Sequence, residues 1–347
     1  MRKIFFLLVK YLPVYCLMLA FGCRSDRKVN TSFYYWKTRF TNNATQANYL
    51  SALKTRTLYV RIMDIDIDEE SGKPVPVSPI VFNEPVPDTL QAIPVVFIVN
   101  RVFYNITQPQ LNELAVKITA FVKAKLKQAG KSSFDQIQID CDWTINTRDN
   151  YFYLLNQLNA QPALKNKLIS ATLRLHQLKN RQRNGVPPVQ RVMLMCYNMG
   201  NLRKYGNQNS ILDVNELKKY AASNLADYPL PLDVGFPLFN WAVVFRNKQY
   251  AGLSKKLVLN DLKDGNHFIF IEKNQYRARM DIPQYGILKN DEVRWEDTEL
   301  GELEKLALHL SPLIKNDTLN LIYFHLDENV IKSYKPQQLQ ETADLLR

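Results

Sequence analysis

The chain has 347 residues, enough to bury one large core or two smaller ones. Hydrophobic residues make up 46% of it and charged residues 22%, a globular composition that excludes a disordered chain. The net charge is +12 at pH 7, but the basic residues are scattered and no nucleic-acid-binding motif accompanies them. We therefore interpret the charge as a surface property and expect no nucleic-acid partner.

The first 22 residues have the pattern of an export signal. Two basic residues precede an apolar run over 4–20, and small residues follow it. Lys10 and Pro13 interrupt the run, which makes it a poor membrane anchor and an acceptable signal peptide.

The end of this segment, Ala-Phe-Gly-Cys over 20–23, resembles a bacterial lipobox. The resemblance implies cleavage before Cys23 and lipidation of its thiol. A plain secretory signal or an uncleaved anchor is the alternative. We expect a lipoprotein of the cell envelope of a Gram-negative bacterium, with 23–32 as a polar tether and contact with the membrane only through the lipid.

Strands and helices alternate along the rest of the chain. Strands are indicated by apolar residues at every second position, and helices by apolar residues three and four apart. Short strands and turns over 267–295 indicate an antiparallel piece. The predicted strands are 31–40, 58–67, 93–103, 134–144, 168–175, 190–199, 232–245 and 319–326, and the predicted helices are 44–51, 108–129, 149–159, 214–225, 299–310 and 336–346.

This alternation is typical of α/β proteins with parallel strands. Eight units in roughly 320 residues fit a closed (β/α)8 TIM barrel better than an open doubly wound sheet. No glycine-rich phosphate loop follows the first strand, which disfavours nucleotide binding. We predict a single barrel domain over 33–347, with a small antiparallel insertion at about 267–295, before the last β/α unit.

The fourth predicted strand carries two aspartates. Alternate residues of a strand share a face, so Gln138, Asp140 and Asp142 point the same way. Two carboxylates on one face are costly to bury, and active sites of barrels lie at the carboxyl ends of the strands. A solvated edge strand is the alternative, which the apolar opposite face disfavours.

The segment 135–142 resembles the strand-four motif of glycoside hydrolase family 18, Asp-x-x-Asp-x-Asp-x-Glu. Asp135 and Asp140 match this motif. Gln138 replaces the middle aspartate, and Asp142 stands where the family has its catalytic glutamate.

Other segments are similar to the same family in the same order. Residues 195–198, Met-Cys-Tyr-Asn, resemble Met-x-Tyr-Asp on strand six, and 232–239 resembles the strand-seven segment Gly-x-Pro-x-Tyr. The aromatic run 33–36 is similar to the family's first strand.

The resemblance implies a substrate-assisted retaining mechanism on a glycan that contains N-acetylhexosamine, with no cofactor. Asp142 would protonate the glycosidic oxygen, Asp140 would orient the acetamido group, and Tyr197 would hydrogen-bond to that group. The acid needs a raised pKa, which the charge of Asp140 would provide for Asp142.

Two other functions remain open. The aspartate side chain is one methylene shorter than glutamate, and a misplacement of about 1 Å can cost on the order of a hundredfold in rate. A barrel that binds a glycan without cutting it is therefore one alternative. The other is a metal-dependent hydrolase that uses Asp140, Asp142, His176 and His325, although the chain has four histidines and no closely spaced pair.

Further substrate-binding candidates lie near predicted strand ends. Aromatic rings there could stack on sugars, and polar side chains could hydrogen-bond to them, with core packing or a solvated loop as the alternative. The candidates are Tyr35, Trp36, Asp64, Trp143, Arg174, Asn198, Trp241 and Asp327.

Overall fold

The computed structural model describes residues 27–254 and 256–347, apart from the side chains of 222 and 223. The predicted signal peptide and Cys23 lie outside these ranges. Within them, no helix is both long enough and apolar enough to cross a bilayer.

Eight parallel strands form the centre of the molecule. They are β1 (Lys28–Tyr35), β2 (Thr57–Ile67), β3 (Gln91–Ile98), β4 (Gln136–Asp140), β5 (Leu168–Leu173), β6 (Arg191–Met195), β7 (Leu232–Pro237) and β8 (Thr318–Phe324). Each strand pairs with its neighbours in the chain, and β1 pairs with β8 to close the barrel. The predicted (β/α)8 barrel is confirmed.

Most of the helices cover the outside of the barrel, whereas Leu259–Leu262 packs within the antiparallel insertion. The helices are α1 (Ala44–Ala52), α2 (Gln108–Gln128), α3 (Arg148–Asn159), α4 (Leu175–Lys179), α5 (Arg181–Asn184), α6 (Val214–Ala226), α7 (Leu259–Leu262), α8 (Leu300–Leu310), α9 (Glu328–Ile331) and α10 (Pro336–Asp344). Single 3-10 turns lie at Asn100–Phe103, Pro162–Leu164, Pro283–Tyr285 and Ser311–Leu313. Asn43 caps α1 by accepting a hydrogen bond from the Gln46 amide at 3.1 Å.

The connection from β2 to β3 contains short strands and, within the described residues, no helix. Pro74–Val77 pairs with the end of β2, and Val81–Phe82 pairs with Arg39–Phe40. The prolines of this segment disfavour a helix there.

The strands separate two layers of side chains. Ile137 and Ile139 of β4 belong to the large core between strands and helices. Gln138 and Asp140 point into the barrel, where a second cluster includes Tyr34, Tyr59, Met193 and Tyr197. The predicted common direction of Gln138 and Asp140 is confirmed, whereas β4 ends at Asp140 and Asp142 lies beyond the strand.

The antiparallel insertion is larger than predicted. Its five strands are Trp241–Arg246, Gln249–Ser254, Phe268–Glu272, Gln275–Ala278 and Glu292–Glu296, and they enclose a small core of their own. The predicted strand 232–245 is wrong as a single element, because β7 ends at Pro237 and the insertion begins at Trp241. Asn240 is the single polar residue between the two strands, and the apolar residues on either side of it hide the turn.

Candidate functional site

The lower and middle parts of the barrel are filled with hydrogen-bonded side chains. Near the amino ends of the strands, Asp233 accepts hydrogen bonds from Arg191 Nη1 at 2.6 Å and from the Asn320 amide at 2.8 Å. In the middle, the Tyr34 hydroxyl donates to Gln138. These contacts occupy the amino end and the middle of the interior. We call the carboxyl end, where the active sites of such barrels lie, the mouth.

Asp140 is the last residue of β4 and lies at the base of the mouth. It is 7% exposed, and its Oδ1 accepts a hydrogen bond from Thr172 Oγ1 at 2.6 Å. Burial, and then the charge of Asp142, raise the pKa of Asp140 to about 7, against the opposing effects of Thr172 and Arg174. This carboxyl group can therefore hold a proton close to neutral pH.

Asp142 has a different environment. Arg174, directly after β5, donates to both of its carboxylate oxygens, with Nη2 at 2.7 Å from Oδ2 and Nε bonded to Oδ1. One guanidinium therefore occupies both oxygens of this carboxyl group. The arrangement does not favour Asp142 as the proton donor that the resemblance implies.

Tyr197 follows β6 and points into the mouth. Burial, and then the charge of Asp140, raise the pKa of its hydroxyl, while Arg174 lowers it. Asp142 also acts on this hydroxyl, so Asp140, Asp142 and Tyr197 lie at the same end of the barrel. Asn198 comes next with a φ of +56° and an exposed side chain.

A small cavity opens beside these residues. Its volume is about 100 Å³, well below the several hundred Å³ of a typical ligand pocket. It can take one substituent of a sugar but not a whole oligosaccharide. It is lined by Arg174, Leu175, His176, Met195, Tyr197, Asn198, Met199 and Tyr220.

Four partly exposed aromatic side chains contact one another in a row at the mouth, which we call the aromatic shelf: Trp36, Phe239, Trp241 and Phe324. Ring centroids are 5.4 Å apart for Trp36 and Phe324, 5.7 Å for Phe324 and Phe239, and 5.1 Å for Phe239 and Trp241. Tyr197 contacts the shelf, with its ring 5.4 Å from Phe324. Trp36 and Trp241 were sequence candidates, whereas Phe239 and Phe324 were missed, although both lie just at strand ends.

Tyr35 and Trp143 do not lie at the mouth, contrary to the sequence-based expectation. Both belong to the core outside the barrel, and the Tyr35 hydroxyl donates to the Arg39 carbonyl at 2.7 Å. Trp143 is 0% exposed and donates from Nε1 to the Asn184 carbonyl at 3.0 Å. Tyr35 follows the inward-pointing Tyr34 in β1, and the next position in a strand points outward. Trp143 lies beyond the end of β4, in the segment that leads to α3.

Asp64 and Asp327 are both at the carboxyl end and both in ion pairs. Arg61 Nε lies 2.7 Å from Asp64 Oδ1. Asp327 pairs with Lys37 at 2.9 Å and caps α9 through the Asn329 amide at 2.9 Å. These contacts give Asp64 and Asp327 structural roles at the rim.

The loop between β6 and α6 is fixed by a buried ion pair that sequence analysis missed. Arg294 donates to Glu296 Oε1 at 2.5 Å, and both side chains are fully buried. Arg294 also donates to the carbonyl oxygens of Leu202, Lys204 and Gly206, at 2.7–3.1 Å. Alternation along strand 292–296 is the signal that could have revealed this charged face.

Glu296 also links this ion pair to the aromatic shelf. Its Oε2 accepts hydrogen bonds from Trp241 Nε1 at 2.9 Å and from the Ser210 amide at 2.9 Å. The insertion thus holds both one ring of the shelf and the loop that borders the cavity.

The metal-binding alternative gains no structural support. In the described part of the chain, no group of three or more His, Cys, Asp or Glu side chains is arranged to hold a metal ion.

Neither a protein-family model nor a curated protein sequence matches the chain. Solved structures do. The Bacillus cereus spore cortex-lytic enzyme SleL superposes with a TM-score of 0.56 at 12% identity, over 92% of this chain and 75% of that one. Catalytic domain 2 of an Ostrinia furnacalis Group II chitinase gives 0.54 at 11% identity, over 92% and 96%.

The fold is glycoside hydrolase family 18-like. A mutant of the same Ostrinia furnacalis domain, in complex with penta-N-acetylchitooctaose, (NAG)5, superposes with a TM-score of 0.51 at 11% identity, over 92% of this chain and 96% of that one. At this identity the likeness establishes the family 18-like fold, and the activity has to be argued from the residues of this chain.

Proposed function

We propose that the protein is an exported lipoprotein whose family 18-like barrel binds a glycan containing N-acetylhexosamine without hydrolysing it. The observation that carries the proposal is the aromatic shelf at the mouth. Asp142, at the same end of the barrel, is in an ion pair with Arg174. Partly exposed rings at such a position provide flat apolar surfaces for sugar faces. The oligosaccharide complex of the Ostrinia furnacalis domain supports a glycan as the ligand class.

The Asp142–Arg174 ion pair supports binding over hydrolysis. Protonation of a glycosidic oxygen needs an acid that carries its proton before the reaction. Both carboxyl oxygens of Asp142 are engaged by Arg174, and its side chain is one methylene shorter than that of a glutamate. Asp140 can carry a proton, but it lies buried under Thr172.

Membrane attachment through Cys23 is part of the same proposal. The lipobox-like end of the signal segment supports it. A lipid at Cys23 would hold the barrel at the surface of an envelope membrane.

Calorimetric titration of the full chain in detergent tests glycan binding. We expect chitopentaose to bind and cellopentaose, which lacks acetamido groups, to bind far more weakly. Trp36→Ala and Trp241→Ala should each weaken binding by about tenfold, the usual loss for a buried aromatic contact. Phe270→Ala is the matched control, because this exposed ring lies on the outer strand of the insertion. If no N-acetylhexosamine glycan binds, the proposal fails.

Hydrolysis is the second candidate function, and the raised pKa of Asp140 favours it. A proton on Asp140 could be shared with Asp142 once a substrate has displaced Arg174. Turnover of a chitobiose reporter that is lost in Asp142→Asn would establish this second function. A reporter that stays intact while chitopentaose binds would establish the first.

A further inference from the structure

A large basic groove lies at the opposite end of the barrel from the mouth. It runs along the start of β1, between the end of α1 and α10, and has a volume of about 1120 Å³. We call it the amino-end groove. Its charged lining consists of Lys28, Lys54, Arg56, Lys335, Arg347 and Asp344.

The cations of the amino-end groove are exposed and mostly uncompensated. The one aspartate in its lining, Asp344, already pairs with Arg347 at 3.0 Å. Among the described residues, Lys28, Lys54 and Arg56 have no ion-pair partner within 4.0 Å. Several like charges in one groove repel each other, and an anionic ligand would relieve that repulsion.

The position of Arg27 fixes where the chain enters the barrel. Its guanidinium donates to the carbonyl oxygens of Leu346 at 2.5 Å, Asn316 at 3.0 Å and Ser311 at 3.1 Å, and also to that of Ile314. Residue 27 is therefore held against the amino end of the barrel, and the next residue, Lys28, lines the groove.

Three residues lie between Cys23 and Arg27, so four Cα–Cα steps join the two. Fully extended, these four steps span at most about 14 Å. A lipid on Cys23 would therefore keep the amino-end groove close to the bilayer surface, within reach of its headgroups. The strands would then direct the mouth away from the membrane.

We propose that the amino-end groove docks onto anionic phospholipid headgroups and sets the barrel upright on the membrane. The inference rests on the proposed lipidation of Cys23, which brings the groove to the surface. Phosphate-bearing lipids match an exposed set of lysine and arginine side chains at this position. The attraction acts over about one Debye length, roughly 8 Å at physiological salt.

Hydrogen–deuterium exchange of the lipidated protein on vesicles tests the docking. We expect the amides of 53–57 and 344–347 to exchange severalfold more slowly on vesicles containing phosphatidylglycerol than on pure phosphatidylcholine. Each basic residue near an anionic surface favours attachment by about fivefold, so the loss of three lowers the docking equilibrium by on the order of a hundredfold, and the three new carboxylates lower it further. In the variant Lys28→Glu, Lys54→Glu, Arg56→Glu, exchange should become equal on the two kinds of vesicle.

The matched control reverses three exposed lysines elsewhere: Lys73→Glu, Lys123→Glu, Lys289→Glu. It has the same net charge and should keep the difference between the vesicles. Equal exchange of the wild-type protein on both vesicles would overturn the proposal, and so would a loss of the difference in the control. Slowing by inorganic phosphate alone would assign the groove to a free anion instead of a membrane.

Intact-mass measurement of the purified protein separates this inference from the anchor itself. A protein without acyl chains on Cys23 would refute the lipidation. The comparison of the two vesicle compositions, made with added vesicles, would still decide whether the groove binds anionic lipid.

Discussion

The raised pKa of Asp140 makes Asp140→Asn a stabilising substitution at neutral pH. In the folded protein this carboxyl group is buried beside the charge of Asp142, which disfavours its ionised form. An amide at the same position has no proton to lose, and its oxygen can still accept the hydrogen bond from Thr172. The variant thus removes the free-energy cost of burying an ionised carboxylate and keeps the hydrogen bond from Thr172.

The size and sign of the effect follow from linkage. The pKa of Asp140 is about 7 in the folded protein against an ordinary value of 3.8, a difference of about three units. At 1.36 kcal/mol per unit this corresponds to up to about 4 kcal/mol. Between about pH 4 and about pH 7 the folded state keeps the proton that the unfolded state loses, so the free energy of unfolding falls as pH rises. The contribution of the protonated Asp140 to stability is fully present below this pH range and is lost above it.

Urea unfolding of both proteins at several pH values measures this difference. The advantage of Asp140→Asn over wild type should be small near about pH 4.5 and grow by about 3 kcal/mol by about pH 7.5. Asp149→Asn, at a carboxylate that is 81% exposed, is the matched control for loss of one charge. A constant advantage across this range, or a less stable variant at neutral pH, would refute the reasoning.

Three further substitutions test other contacts. Arg294→Met should lower the free energy of unfolding by about 3–5 kcal/mol, because it leaves Glu296 buried without its cation. In urea unfolding, adding Glu296→Gln should restore much of this loss. A double variant no more stable than the single one would contradict the reasoning. Thr172→Val removes a hydrogen bond that lowers the pKa of Asp140, so this pKa should rise further. The free energy of unfolding should then go on falling to a higher pH than in the wild-type protein. The same upper pH in both proteins would count against the prediction. Gly235→Ala would place a methyl group 2.7 Å from the sulfur of Met193. Thermal unfolding should therefore show a loss of about 1–3 kcal/mol in the free energy of unfolding. Wild-type stability would mean that the Met193 side chain moves aside without cost.

The barrel was predictable because its periodic patterns are strong. In α2 the apolar positions Leu111, Leu114, Ala115 and Ile118 are all buried, as their helical spacing indicates. The turn after Pro237 was not found in this way, because Asn240 is its only polar residue and apolar residues flank it on both sides. Periodicity marks which residues are inside but not where one buried strand gives way to the next.

The candidate site was predictable in direction but not in pairing. Alternation along the predicted fourth strand placed Asp140 on the inner face. The same rule would have placed Trp143, which follows Asp142, and Tyr35, which follows Tyr34, on the outer face. The Asp142–Arg174 ion pair depends on how β4 lies against β5, where Gln138 is opposite Ser170. That register is a tertiary property, and no local pattern encodes it.

The way in which Arg294 holds the loop beside the mouth has an evolutionary consequence. Its guanidinium binds main-chain oxygens at 202, 204 and 206, which every amino acid possesses. Mutations at these three positions can therefore alter the chemistry presented to a ligand while the backbone path is conserved. Such a segment can diversify in specificity as long as one arginine, far away in the sequence, is retained.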